Sequence, residues 1–346
     1  MAHDEVVAPL NAGQPLARVV RAYRAQIDPL LRTLSPARVW LSSGDHVFAH
    51  IAAEAERRGA AICFYEDGLS SYRRADDPSF RRVGLGAQAA LSARALGQQC
   101  GRIGRAARGR QGGSEGVGAE ARDLLRKIAV HGELVALASP LRPLFALGDF
   151  GARRTKFDEA WVAFPDALDP RVVAARAARA IRPEPSSAEI AAARDAAAGA
   201  PPALYVSQTY GNTFDFYEAV AEALAATGET AMTVKHHPRE KGLRREALTK
   251  ALARRGVRAE APAALDGPPA EALFAAGSFR PVYGLTSTAL LLGRAADPDL
   301  DVRPIGRAME RALRRDPASL WRYDRFFGDL SLFDSLWARR VWRLAD

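Results

Sequence analysis

The 346-residue chain contains only two cysteines, Cys63 and Cys100, too few for a disulfide framework or a Cys-rich metal site. Cys63 lies inside a strand-like run and reads as a small buried hydrophobe. No apolar stretch is long enough to cross a bilayer. The N-terminal MAHDEVVAPLNAGQPL has no basic region followed by an apolar core, so no signal peptide is expected and the cytoplasm is the default compartment. There is no GxGxxG after a plausible first strand, which disfavours a nicotinamide enzyme, and no GKS or GKT of a Walker loop comes after Gly284 or Gly293. No third His or Cys stands at a metal-ligand spacing from His236 and His237. The basic segments lack interleaved aromatics and a helix-turn-helix pattern, so nucleic acid is not an expected partner.

The residues that are present describe an ordinary globular protein. Hydrophobic residues make up 48% and charged residues 26%, enough to build two cores from a chain of this length. The formal charge of +9 favours anionic partners, whether nucleotides, acidic polymers or an anionic membrane surface, without choosing among them.

Apolar periodicity predicts a helix over Leu16–Leu34, a short strand at Val39–Leu41, a helix from His46 to about Arg58 and a strand over Ala61–Tyr65. Strand, helix and strand in succession imply a parallel sheet. The segment Gly84–Gly118 is rich in Gly, Ala and Arg, and within it Gln111–Gly118 reads as a mobile basic loop. A helix is expected over Leu124–Leu137, a strand over Lys156–Phe164, and a proline-bracketed helix between Pro183 and Pro202. Beyond it lie strands at Leu204–Val206, Ala231–Lys235 and Pro281–Tyr283, a short one near Val257, and helices over Asp215–Ala226, Leu243–Arg255, Pro269–Ala276 and from Thr288 through Leu292. The expected fold is α/β, with two Rossmann-like domains facing a cleft. An N-terminal domain covers 1–195, a second domain 196–315, and a tail 316–346 packs back on them. That tail sets aromatics beside arginines, a composition that also suits a membrane surface; packing is the expectation.

Three short motifs sit at the carboxyl ends of predicted strands, where ligands bind in parallel sheets. In AICFYEDGLSSY, the strand ends in Glu66-Asp67-Gly68, with Ser70 just beyond. Adjacent carboxylates repel, so a partly buried one acquires a raised pKa and can serve as a general base; alternatively the pair is a turn that caps a helix or pairs with Arg73 or Arg74. In VKHHPRE, Pro238 biases His237 toward an extended backbone. An imidazolium there can meet a phosphate, and Lys235 and Arg239 add positive charge; the plainer reading is a surface histidine. In VYGLTSTAL, Thr286, Ser287 and Thr288 open an apolar helix, either as an anion site or as a simple N-cap. The order of the three suits group transfer from a nucleotide, with the phosphate held by one domain and the acceptor activated by the other.

At these residues the chain resembles bacterial sialyltransferases of GT-B architecture, especially the capsule polysialyltransferase group. Their acid-acid-glycine, His-Pro and paired Ser/Thr motifs match Glu66-Asp67-Gly68, His237-Pro238 and Ser287-Thr288, and YEDGLSSY and PPAEALFAAG are similar in context. The resemblance implies a CMP-sialic acid donor, an inverting transfer with no metal or other cofactor, and a neutral or anionic glycan acceptor at the cell surface or in a capsule polysaccharide. Glu66 is then the general base, with Asp67 beside it. His237 contacts or protonates the CMP phosphate, with Pro238 beside it, Thr286, Ser287 and Thr288 hold it, Gly284 belongs to the same nucleotide loop, and Glu271 reaches the ribose or base. Gly68 and Ser70 shape the acid loop. The implied location is cytoplasmic, with peripheral inner-membrane association as an addition. Rival readings are transfer of Kdo or a polyol phosphate from a CMP or CDP donor, and a non-catalytic polyanion-binding protein of the same fold.

Overall fold

The computed structural model describes residues 16–43, 46–75, 154–182, 184–208, 210, 214–238, 240, 243–315 and 323–343, with single helical positions between 89 and 128. The loop read at Gln111–Gly118, most of the helix expected over Leu124–Leu137, and Arg239 lie outside the described residues. The chain divides into two compact units, one of residues 1–65 and 78–159, the other of 66–77 and 160–346.

In the first unit, helix α1 (Leu16–Leu34) precedes strand β1 (Arg38–Leu41), helix α2 (His46–Glu56) and strand β2 (Ala61–Tyr65). Strands β1 and β2 pair in parallel, with Arg38 opposite Ala61 and Leu41 opposite Phe64. Ile62, Cys63 and Phe64 are buried, as is the alanine stripe Ala49, Ala52 and Ala55 of α2. Cys63 is thus the small core residue the sequence suggested. Strand β3 (Lys156–Val162) comes next, and β4 (Ala174–Ala180) follows it in the chain, within the second unit.

The second unit carries helix α3 (Ser187–Ala196), β5 (Leu204–Val206), α4 (Phe214–Ala225), β6 (Ala231–Lys235), α5 (Leu243–Ala253) and β7 (Arg258–Glu260). Next in the chain are α6 (Ala270–Ala275), β8 (Val282–Gly284), α7 (Thr288–Ala296), β9 (Val302–Pro304), α8 (Gly306–Leu313) and α9 (Asp324–Ala338). Its sheet has the order β7-β6-β5-β8-β9, and every neighbouring pair is parallel. The α/β fold read from the sequence is therefore the fold observed. The central strand β5 is buried along its whole length, and β8 likewise, the pattern of strands covered on both faces. Helix α3 starts with a reciprocal cap. The Ser186 hydroxyl accepts from the Glu189 amide at 3.2 Å, and the Glu189 carboxylate accepts from the Ser186 amide at 2.8 Å.

The strand order fixes where a ligand can bind. From β5 the chain crosses to β6 on one side, and β8 then joins β5 on the other. Such a reversal opens a crevice beyond the carboxyl ends of the two diverging strands. The residues just past β5, β6 and β8 are Ser207-Gln208, His236-His237 and Leu285-Thr286. Two of the sequence motifs therefore meet at the switch point.

The core of this unit lies between the sheet and α4, α5 and α8, with Phe216, Leu224, Leu248, Leu252 and Met309 buried there. The C-terminal helix α9 joins the same core through Phe326 and Leu330. No described helix is long and apolar enough to cross a membrane.

Because Phe326 is wholly buried in that core, we expect Phe326→Ala to cost about 3–5 kcal/mol in urea unfolding. Ser331→Ala, on the exposed side of the same helix, should stay within about 0.5 kcal/mol of the parent. Equal effects would contradict the placement of α9.

Candidate active site

A cavity of about 670 Å³ lies within the second unit, over the carboxyl ends of β5, β6 and β8. Its walls include Asp67, Gly68 and Ser70 from the acid loop, His237 and Pro238 after β6, and Thr286, Ser287 and Thr288 before α7. Glu271, in the first turn of α6, is also on the wall. Two of the residues singled out from the sequence are not: Glu66 and Gly284.

The acid loop is held by its own bonds. After β2 the backbone N–H of Glu66 donates to the Trp161 carbonyl at 3.0 Å, and Gly68–Tyr72 forms a single 3₁₀ turn. The Ser71 hydroxyl accepts from the Asp67 amide at 3.0 Å. Gly68 has φ +78°, a left-handed conformation that disfavours other residues. A Cβ on Gly68 would stand 3.3 Å from Thr288 Oγ1. Glycine therefore both makes the turn and lets the acid loop lie against the start of α7.

The two acids face different surroundings. Asp67 is exposed on the cavity wall. Glu66 is partly buried, and its Oε2 accepts from the Tyr72 hydroxyl at 2.5 Å and the Ala163 amide at 2.6 Å. Both bonds end on the same oxygen, so Oε1 is left to other chemistry. Burial pushes the Glu66 carboxyl above the usual carboxylate range, against the pull of these two donors. Tyr72 is itself buried and accepts from the Phe164 amide at 3.0 Å, which fixes the phenol that orients Glu66.

The hydroxyl loop is built differently at each position. Ser287 is the N-cap of α7, accepting from the Ala289 amide at 3.2 Å. Thr286 is buried. Its amide donates to Gln208 Oε1 at 2.7 Å, and its hydroxyl lies 2.5 Å from the Tyr210 hydroxyl. Thr286 thus serves the loop's own framework, while Ser287 and Thr288 are partly exposed at the helix start. Gly284 is buried inside β8, where a Cβ would come within 2.9 Å of a Leu290 methyl. Its place is in the packing of α7 on the sheet, beneath the cavity.

Beyond β6, Lys235 Nζ donates to the Leu265 carbonyl at 2.6 Å, and burial lowers its pKa. Asp266, bound at two oxygens by Arg245, is held below the usual carboxylate range by that guanidinium. Among the described residues no group of three or more His, Cys, Asp or Glu is arranged to hold a metal ion.

Several wall residues were not singled out from the sequence. Gln208 and Tyr210 lie in the polar loop after β5, and Arg325 and Asp329 come from α9. Asp329 accepts from Arg73 at 2.7 Å and from the Tyr210 hydroxyl, whose pKa is raised by burial and then by the Asp329 charge. One carboxylate therefore ties the acid loop and, through Tyr210 and Thr286, the hydroxyl loop to the C-terminal helix. The ion pair is largely buried, with side-chain exposures of 15% and 9%. Loss of Asp329 removes a buried acceptor from both Arg73 and Tyr210. Asp329→Ala should accordingly destabilise the protein by about 3 kcal/mol in chemical unfolding; a change below about 0.5 kcal/mol, the range of surface substitutions, would contradict this role.

The model of the alpha-2,8-polysialyltransferase (POLYST) family matches residues 4–296. No curated protein matches the chain. Among solved structures, an alpha,alpha-trehalose-phosphate synthase (UDP-forming) from Burkholderia vietnamiensis aligns at 15% identity and a TM-score of 0.34, over 99% of this chain and 78% of that one. With the family match spanning most of its length, the chain is a glycosyltransferase and belongs to the alpha-2,8-polysialyltransferase family.

Proposed function

We propose that the cavity binds CMP-sialic acid and that the enzyme transfers sialic acid, with inversion and without a metal, to a glycan such as a capsule or cell-surface polysaccharide. The observation that carries this reading is the convergence of Asp67-Gly68, His237-Pro238 and Ser287-Thr288 on one cavity. A polysialyltransferase needs a site for a nucleotide phosphate beside a carboxylate, and these residue types supply both.

The phosphate sits at the start of α7. Backbone N–H groups and the helix dipole favour an anion there, and the Ser287 and Thr288 hydroxyls add donors. His237 meets the phosphate from the β6 side, next to Pro238, and Glu271 turns toward the ribose or base. As the bond to the sugar lengthens, the sugar gains oxocarbenium character and the phosphate gains charge. Donors already fixed around that charge lower the barrier without reorganising.

Glu66 is the base. Its Oε2 is anchored by Tyr72 and Ala163, so Oε1 can accept the proton of the acceptor hydroxyl. Desolvation raises its pKa, which brings a carboxylate closer to the basicity that efficient proton transfer requires. Asp67, on the wall beside it, faces the donor.

Incubation with CMP-sialic acid, CMP-Kdo and CDP-glycerol tests the donor: release of CMP from CMP-sialic acid is expected, and turnover of another donor alone would replace this reading. CMP should raise the melting temperature of the parent more than UMP or ADP, and His237→Ala should lose most of that shift. Glu66→Gln should lower kcat by about 10²-fold or more. The base works only when ionised, so the acid limb of the pH–rate profile should fall at higher pH than for an ordinary carboxylate. The raised pKa also means that the charged form opposes folding, by a cost that appears as pH rises through that pKa. Glu66→Gln should therefore melt no lower than the parent at neutral pH; a large drop would assign Glu66 to structure.

A further inference from the structure

A side-chain amide stands where the two diverging strands part. Gln208 follows β5 and is half-buried on the cavity wall. Its Oε1 accepts from the Thr286 amide at 2.7 Å, and the Thr286 hydroxyl lies 3.4 Å from the same oxygen. A glutamine amide has one acceptor end and one donor end. Reversing this one would press its NH2 group against the Thr286 N–H, two donors face to face, so the bond sets the orientation. The NH2 group, with two hydrogens, is the end turned away from Thr286. Among the described residues nothing accepts from it.

The neighbouring hydroxyls are already committed. Tyr210 gives its hydrogen to Asp329. Its oxygen lies 2.5 Å from Thr286 Oγ1, so Thr286 is the donor in that contact. Thr286 is also buried. Beside β5, then, the Gln208 Nε2 group is the donor left to the cavity, and its acceptor has to come from a ligand. The amide is bonded to the residue just before Ser287-Thr288, the pair read above as the phosphate loop. A donor held in place before the ligand arrives suits an anionic oxygen, since bonds to charged acceptors are the stronger ones.

We propose that Gln208 binds the nucleotide sugar, its Nε2–H groups donating to an anionic oxygen at the reacting carbon, on the phosphate or on the sugar carboxylate. The inference rests on the donor reading given under the proposed function and adds a binding residue to it. In a CMP-linked sialic acid both anionic groups are attached to the same carbon, so one amide beside the phosphate loop can meet either. No proton is transferred: Gln208 acts through hydrogen bonds alone. The two partners differ in when the bond matters. Charge builds on the phosphate as its bond to the sugar lengthens, so a donor there is felt in kcat. The carboxylate is charged throughout, so a donor there holds the substrate and is felt in KM.

Gln208→Glu separates this role from a structural one. One carboxylate oxygen keeps the bond to the Thr286 amide, and the other puts a negative charge where the NH2 group was. At about pH 8 the new side chain is ionised, and we expect a melting temperature near that of the parent. A bond to the phosphate predicts CMP affinity about tenfold or more below the parent, with kcat reduced as well. A bond to the carboxylate predicts CMP affinity within about threefold of the parent and KM for CMP-sialic acid raised about tenfold or more. A folded Gln208→Glu protein with CMP affinity, kcat and KM all within about threefold of the parent overturns the inference while leaving the donor reading intact. If Gln208→Glu does not fold, the parent itself decides. In its crystals with a non-hydrolysable CMP-sialic acid analogue, Gln208 Nε2 should lie within hydrogen-bond distance of a phosphate or carboxylate oxygen; an amide that reaches neither overturns the proposal. A parent protein that neither binds CMP nor turns over CMP-sialic acid overturns the donor reading, and this inference with it.

Discussion

The close approach of Gly68 to Thr288 is the constraint on which the site depends. The first residue belongs to a turn at the end of β2, the second to the start of α7, and 220 positions separate them. A residue with a side chain would be strained at φ +78° there and would bring its Cβ to 3.3 Å from Thr288 Oγ1. Because the two loops touch, the Asp67 carboxylate and the Ser287-Thr288 hydroxyls share one cavity. The remaining wall is a consequence of sheet topology. With the strand order β7-β6-β5-β8-β9, the ends of β6, β5 and β8 lie side by side, and the loop leaving each of these strands must face the same crevice.

The framework around this contact is a set of linked polar contacts. Tyr72 binds Glu66 and the Phe164 amide; Gln208 and Tyr210 bind Thr286; Asp329 binds Arg73 and Tyr210. Partly buried networks of this kind hold a site in a single geometry because each broken bond leaves an unsatisfied group. Helix α9 takes part in it, although it lies beyond the residues that the family model matches. The C-terminal helix is therefore one wall of the cavity as well as part of the core.

Much of this is legible in the sequence, for identifiable reasons. The buried strands LYV and AMTVK, and the helices between them, carry strong apolar patterns bounded by glycines, and they appear where periodicity places them. Strand β4, AARAARA, escapes such a reading. Alanine and arginine favour helices, and this strand is largely exposed, so pairing within the sheet overrides local preference. Strand β9 and helix α8 escape it as well; β9 is an edge strand, VRP, with no buried residue, so it lacks the apolar run that marks LYV. In the site, the three motifs are visible because each is compact. Glu240, buried beside His236, stands within VKHHPRE without an assignable role, since nothing in a single sequence distinguishes a buried acid from a solvated one; its spacing of four from His236 is the available signal. Asp329 and Arg325 cannot be found that way, because only tertiary folding brings α9 to the cavity. Nor can a sequence show that Glu66 is bound by Tyr72 and Ala163 while Asp67 is exposed.

The most direct test of the central claim is a crystal structure of the protein grown with CMP. The account predicts the nucleotide in the cavity at the ends of β5, β6 and β8, with its phosphate within hydrogen-bond distance of the Ser287–Thr288 loop and of an imidazole after β6. CMP bound elsewhere, or with its phosphate turned away from both loops, would contradict it.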